Sequence, residues 1–127
     1  MNTKSLLIVT AVVELAAGAV LLVAPSLTAE LLLGTGLGSP ASVMVGRVAG
    51  AALVSIGLSC WLERDRACNG SRAGLVTGLL IYNISIPALL IHAAVVDHIS
   101  GIAFWPGIVL HSVLAIWCVA RLRSSNQ

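Results

Sequence analysis

Two long intervals of the chain carry no Asp, Glu, Lys or Arg: residues 73–96, between Arg72 and Asp97, and residues 98–120, between Asp97 and Arg121. A helix that crosses the hydrocarbon core of a bilayer needs roughly 20 consecutive apolar residues, so each interval is long enough to span once its turn residues are trimmed. Two further apolar runs, at about 5–24 and 43–62, have the same length but carry one full charge each, Glu14 and Arg47. No polar run interrupts either. A half-span would leave backbone groups without partners in lipid, so both are read as complete spans. Composition agrees: 58% of the 127 residues are hydrophobic, 9% are charged, and mean hydropathy is +1.03. Five acidic and seven basic side chains cannot solvate a water-soluble globule of this length. The expectation is a single all-α transmembrane domain over residues 1–127, an integral membrane four-helix bundle with spans at about 5–24, 43–62, 74–96 and 103–121.

Charge distribution orients the bundle. Lys4, Arg64, Arg66, Arg72, Arg121 and Arg123, six of the seven basic residues, fall on one side of a four-span arrangement. Cytoplasmic flanks are enriched in Lys and Arg, which places both termini in the cytoplasm and the protein in the cell inner (plasma) membrane as a multi-pass chain. The outer side receives the loop 25–42 and a short turn around Asp97 and His98. Within that loop Pro25 precedes Ala29 to Leu33 and the glycines 34, 36 and 38, the pattern of a short interfacial helix followed by a turn. Lys4 and the first apolar run loosely imitate a cleaved signal, but Glu14 in the middle of that run favours a retained span. A net charge of +2 with scattered basic residues excludes nucleic acid as a partner. The partners expected are the lipid bilayer and other membrane proteins or a second copy.

In lipid, helices associate through small residues and a few polar contacts, so stripes of Gly, Ala, Ser and Thr mark buried faces. Thr10, Ala11, Glu14, Ala17 and Gly18 form such a stripe in the first span, and Gly46, Gly50, Ala51, Ser55 and Ser59 in the second. The third carries Gly74, Gly78, Tyr82, Asn83, Ser85 and His92, the fourth Gly107, His111, Ala115 and Cys118. The polar residues therefore point inward and line an interior that opens towards the outside. Pro87, unable to bond the carbonyl of Asn83, adds a kink and a free acceptor.

Glu14 and Arg47 are opposite charges on consecutive antiparallel spans, and each needs a partner, because an unpaired charge near the bilayer centre costs roughly 2.5–3.5 kcal/mol. They are read as a structural ion pair locking the first two spans, or else as a proton or ligand site at Glu14, or with Arg47 reaching outer headgroups while Glu14 stays protonated. Tyr82, Asn83, His92 and His111 form the candidate interior polar site. His92, His98 and His111, with Asp97, are a possible copper, zinc, iron or haem ligand set, but without an HExxH or an i, i+4 pair they read first as polar contacts between helices. No metal and no cofactor is predicted; haem, metal or quinone stand as alternatives. Cys60, Cys68 and Cys118 have no CxxC spacing and read as small apolar side chains plus one exposed loop thiol at Cys68. Trp61, Trp105 and Trp117 lie near span ends and read as interfacial anchors. Phosphate loops, dinucleotide fingerprints and nucleophile elbows are missing from the sequence, which gives no support for catalysis.

Glu14 and Gly18 in the first span, Gly46, Arg47 and Gly50 in the second, and a final apolar pair together resemble small bacterial four-helix membrane proteins of the DoxX-like kind. The likeness covers most of the chain by layout. It implies a four-helix fold and a partner role beside quinone-linked or redox complexes. A second likeness, carried by Glu14 in the first of four spans, is to small multidrug resistance transporters, in which an embedded carboxylate exchanges a proton for a cation. The chain departs from them in its long outer loop and its 4% aromatic content. The functional expectation is a small non-catalytic accessory or assembly subunit of a larger membrane complex, with a small transporter or quinone-like lipophilic-ligand binder centred on Glu14 as the alternative.

Overall fold

The computed structural model describes residues 2–66 and 70–125, which form five helices and, among the described residues, no strand. They are α1 (Thr3–Val23), α2 (Pro25–Leu33), α3 (Pro40–Glu63), α4 (Gly70–Val96) and α5 (Phe104–Ser125). Thr3–Val23, Pro40–Glu63, Arg72–Val96 and Phe104–Ser124 are each long and apolar enough to cross a membrane, and four such helices point to a multi-pass membrane protein. Their outer faces expose Val12, Val20, Val45, Val48, Ile81, Leu89, Val109 and Ile116, surface that water would not tolerate in such quantity. Cys68 lies outside the described residues.

Helix ends follow local chemistry. Asn2 Oδ1 accepts the Lys4 amide at 3.1 Å and caps α1. Ser39 and Ser42 form a reciprocal capping box at the start of α3, where Pro40 takes the first turn. Pro25 likewise opens α2. Gly34 ends α2 in the left-handed region, φ 76°, with its N–H on Glu30 O at 2.8 Å. The α4–α5 connection then supplies two more donors: Gly101 N bonds Leu32 O at 3.0 Å and Ala103 N bonds Leu31 O at 2.8 Å. These satisfy carbonyls that α2 leaves orphaned, and so pin α2 to the start of α5.

The long helices pack as two antiparallel pairs, α1 along α3 and α4 along α5. Glycine sets the first pair. A Cβ on Gly18 would stand 2.8 Å from Gly50 O and Val54 N, and one on Gly57 would stand 2.8–2.9 Å from Leu15, so only glycine lets the two backbones approach this closely. The pairs meet in a cluster built from all four helices: Leu6, Leu7 and Ala11 of α1, Cys60 of α3, Val76 and Leu79 of α4, Leu114 and Cys118 of α5. Both cysteines are buried and unpaired. Trp61 and Trp105 are exposed as anchors would be, whereas Trp117 packs against the cluster. Polar ties hold the same end. Arg121 Nε donates to Thr3 Oγ1 at 2.9 Å, Arg72 donates to the Arg64 and Arg66 carbonyls at 2.9 Å each, and Lys4 Nζ meets Asp65 Oδ1 at 2.6 Å. The Lys4 ammonium, through its hydrogen bond first and its charge second, with Arg64 and Arg72 adding charge, holds the Asp65 carboxyl below the usual aspartate range.

Candidate polar site at Glu14 and Tyr82

Glu14 stands two turns into α1 from the buried cluster residue Leu7 and is 1% exposed. Its Oε2 accepts a hydrogen bond from Tyr82 Oη of α4 at 3.2 Å, a contact between the two helix pairs. Its other oxygen, Oε1, is buried and has no partner among the described residues, and the same holds for Thr10 Oγ1 one turn earlier. Buried polar atoms are nearly always bonded, so a carboxyl oxygen and a hydroxyl left without partners one turn apart stand out in an apolar bundle.

Asn83, wholly buried beside Tyr82, organises the second half of the cluster. Its Nδ2 donates to Leu79 O at 2.8 Å, a second bond to a carbonyl of its own helix ladder, and its Oδ1 faces His111 Nδ1 of α5 at 2.8 Å. With the amide nitrogen committed, the oxygen is an acceptor and Nδ1 must carry the ring proton. The Tyr82 and His111 rings meet edge-on, centroids 5.5 Å apart. Glu14, Tyr82, Asn83 and His111 thus form one connected group across α1, α4 and α5. Helix α4 runs unbroken through Pro87.

Arg47 is not part of it. The expected Glu14–Arg47 ion pair does not form: Arg47 is exposed, and among the described residues no ion pair involves it. The Gly18–Gly50 and Leu15–Gly57 contacts set the register and rotation of α1 against α3, which carry Glu14 towards Val54 and Gly57 and leave Arg47 on an exposed face. His92 also stands apart and exposed. Nine residues beyond Asn83, it lies about 13 Å further along the helix axis than the partner of His111, so the two histidines cannot share a ligand. Asp97 and His98 are exposed in the α4–α5 connection, His98 with φ 55°. Among the described residues no three His, Cys, Asp or Glu gather as metal ligands would.

A groove of about 470 Å³ runs between α3 and α4, lined by Ser55, Ile56, Ser59, Gly74, Leu75, Gly78, Leu79 and Tyr82. Tyr82 is at once a wall of the groove and the hydrogen-bond donor to Glu14. Gly74 and Gly78 contribute nothing but space, since a Cβ built on either meets no atom within 4 Å. The groove lies on the half of the molecule that carries the α3–α4 turn, and not on the half of the 25–42 loop where an opening is expected from the depths of the histidines. Sequence spacing held its signature, Ser55 and Ser59 at i, i+4 facing Gly74, Gly78 and Tyr82 at i, i+4, i+8, but those stripes read as packing faces. A second groove of about 410 Å³, between α1, α2 and α3, is lined almost wholly by apolar side chains such as Leu21, Pro25, Leu32, Leu37 and Val45. No protein family matches the chain, and neither does any characterised protein or any solved structure.

Proposed function

We propose that this chain is a small non-catalytic protein of the bacterial inner membrane, both termini cytoplasmic, that binds a lipophilic ligand at Glu14 by way of the α3–α4 groove, as a small transporter or carrier of that ligand would. The observation that carries the reading is the Glu14 carboxyl: 1% exposed, bonded through one oxygen to Tyr82 and through the other to nothing. A carboxyl costs several kcal/mol to hold in hydrocarbon unless something answers it, and the ion pair that would make it purely structural is missing. The six basic residues gathered at the end of Lys4, Arg64, Arg66, Arg72, Arg121 and Arg123 support the orientation, and with it a groove that opens to the cytoplasmic half of the bilayer. A ligand dissolved in that leaflet would enter sideways, between helices, without crossing water.

The test is mild purification from native membranes followed by mass spectrometry of the small molecules that accompany the protein. Glu14→Gln is expected to fold, because the amide is isosteric, and to lose a compound that the native chain retains. Retention of the same compounds by both forms overturns the reading.

A specific observation favours a second reading, an accessory or assembly subunit. Arg47 is exposed among Met44, Val45 and Val48 on a helix face made for lipid, with no partner among the described residues. A carboxylate from another membrane protein would answer that charge. The same purification tests it: a stoichiometric larger complex that Arg47→Gln dissociates supports this reading, and a chain that purifies alone removes it.

A further inference from the structure

We infer that the α3–α4 groove is built for a single-chain amphiphile with a primary ammonium head, a long-chain alkylamine, whose head sits at Tyr82 against Glu14 and whose chain lies along Gly78 and Gly74. The inference rests on the proposed ligand site and names the class of ligand it takes. Its basis is the direction of every hydrogen bond in the groove wall. Ser55 Oγ donates to Ala51 O at 2.9 Å, Ser59 Oγ donates to Ser55 O at 2.8 Å, and Tyr82 Oη donates to Glu14 Oε2 at 3.2 Å. A hydroxyl has one proton and two lone pairs, so each of these oxygens has given away its only donor and presents lone pairs alone. The remaining lining, Ile56, Gly74, Leu75, Gly78 and Leu79, is apolar, and its backbone N–H groups are bonded within helices.

The wall therefore accepts and cannot donate. A quinone, an ester or a fatty acid anion, which all need donors, finds none there. A primary ammonium brings three donors and a positive charge. One N–H donates to Tyr82 Oη, whose own proton already bonds Glu14, so the charge of the head is answered by the carboxylate through one shared hydroxyl. Glu14 itself lies behind Tyr82 and does not line the groove, so its carboxylate acts on the head through the Tyr82 hydroxyl. A quaternary ammonium carries the same charge but no N–H, and should lose what the hydrogen bonds supply. At about 470 Å³ the groove falls in the ordinary range for small-molecule sites. Its floor stays open because Gly74 and Gly78 have no side chain and no neighbour against which a Cβ would press.

The experiment is calorimetric titration of the full chain in zwitterionic phosphatidylcholine nanodiscs, corrected with empty nanodiscs, using n-dodecylamine, n-dodecyltrimethylammonium and n-dodecanol. The amine is expected to bind about 10- to 100-fold more tightly than the trimethyl compound, the factor that hydrogen bonds to a charged group supply, and more tightly than the uncharged alcohol. Gly78→Leu is the discriminating variant, because its Cβ enters open space and the rest of the side chain occupies the groove; with an unfolding transition like that of the native chain, it should abolish amine binding, as should Glu14→Gln. Equal or tighter binding of the trimethyl compound overturns the inference, and so does amine binding that survives Gly78→Leu. If no amine binds, yet a compound purifying with the native chain is lost in Glu14→Gln, the ligand class is wrong and the site stands. If no amine binds and no such compound exists, both are wrong.

Discussion

Two pairs of glycines, on neighbouring helices of one small bundle, do opposite things. Gly18 and Gly50 are consumed where α1 crosses α3: added Cβ atoms would lie 2.8–2.9 Å from the opposing backbone. Gly74 and Gly78 on α4 touch nothing, and the space they leave is the floor of the groove beside Tyr82. In lipid, where apolar surface gains little by leaving the solvent, close packing is what holds helices together, so an unfilled small-residue face forgoes stabilisation. The contrast separates the part of the molecule that maintains the fold from the part left free to receive something.

The sharpest way to break the comparison is to give both pairs a side chain. Gly18→Val or Gly50→Val forces the α1 and α3 backbones apart, at or above the upper end of the about 1–3 kcal/mol that overpacking costs. Thermal unfolding in detergent, followed by helical circular dichroism, should show a large loss of stability or no folded protein. An unchanged transition would mean that α1 and α3 do not cross at these glycines.

Next in size is the joint between α4 and α5. Asn83→Ala leaves the His111 Nδ1 proton without its acceptor and takes a second donor from the Leu79 carbonyl, which keeps its helical bond, for about 1–3 kcal/mol. His111→Leu alone orphans only Asn83 Oδ1 and should cost less. The double substitution Asn83→Leu, His111→Leu should recover part of the loss, since two apolar side chains leave less unmatched. Additive losses would show that the two side chains do not meet.

The helices themselves were legible because their causes are local. Charge-free length predicted α4 and α5, and apolar length despite one charge each predicted α1 and α3, all to within a few residues, and Pro25 followed by Gly34 predicted α2. Tyr82, Asn83 and His111 were also legible as interior residues, because polar side chains on small-residue stripes have few other places to go. The partner of Glu14 was not. Counting 1.5 Å per residue gives the depth of Glu14 and Arg47 but not the rotation of their helices, and the rotation is set by the Gly18–Gly50 crossing, a contact between distant parts of the chain. His92 falls outside the interior group for a related reason: the register of α4 against α5, fixed by Asn83 and His111, carries it out of reach. Nor could the sequence distinguish a glycine stripe that is packed from one that is open, since the two read alike until the neighbours are known.

A smaller effect of opposite sign sharpens the contrast. Gly78→Ala adds a methyl group to open space and removes the helix-propensity penalty of glycine, so it should stabilise the fold by up to about 1 kcal/mol. Measured beside Gly50→Ala, which should destabilise, it gives two identical substitutions with opposite signs. Destabilisation by both would mean that α3 and α4 close against each other and that no groove exists.

The smallest effect lies at the end of the α1–α3 pair, where Lys4 Nζ meets Asp65 Oδ1 at 2.6 Å. Both side chains are about half exposed, so the ion pair is screened by water and adds little to helices already locked by Gly18, Gly50 and Gly57. Its sign is nonetheless determined. The folded-state carboxyl titrates below the usual aspartate value, which means that folding favours the ionised form. The contribution is therefore complete above the unfolded value of about 3.9 and is lost as pH falls through the lower folded value. Asp65→Asn should produce a slight drop in unfolding temperature at pH 7, weaker in high salt, and should match the native chain once the pH is below the folded-state titration. A large drop that salt does not diminish would show that the α1–α3 pair depends on its polar end rather than on its glycine crossing, and would reverse the division between packed and open faces from which the groove at Tyr82 takes its meaning.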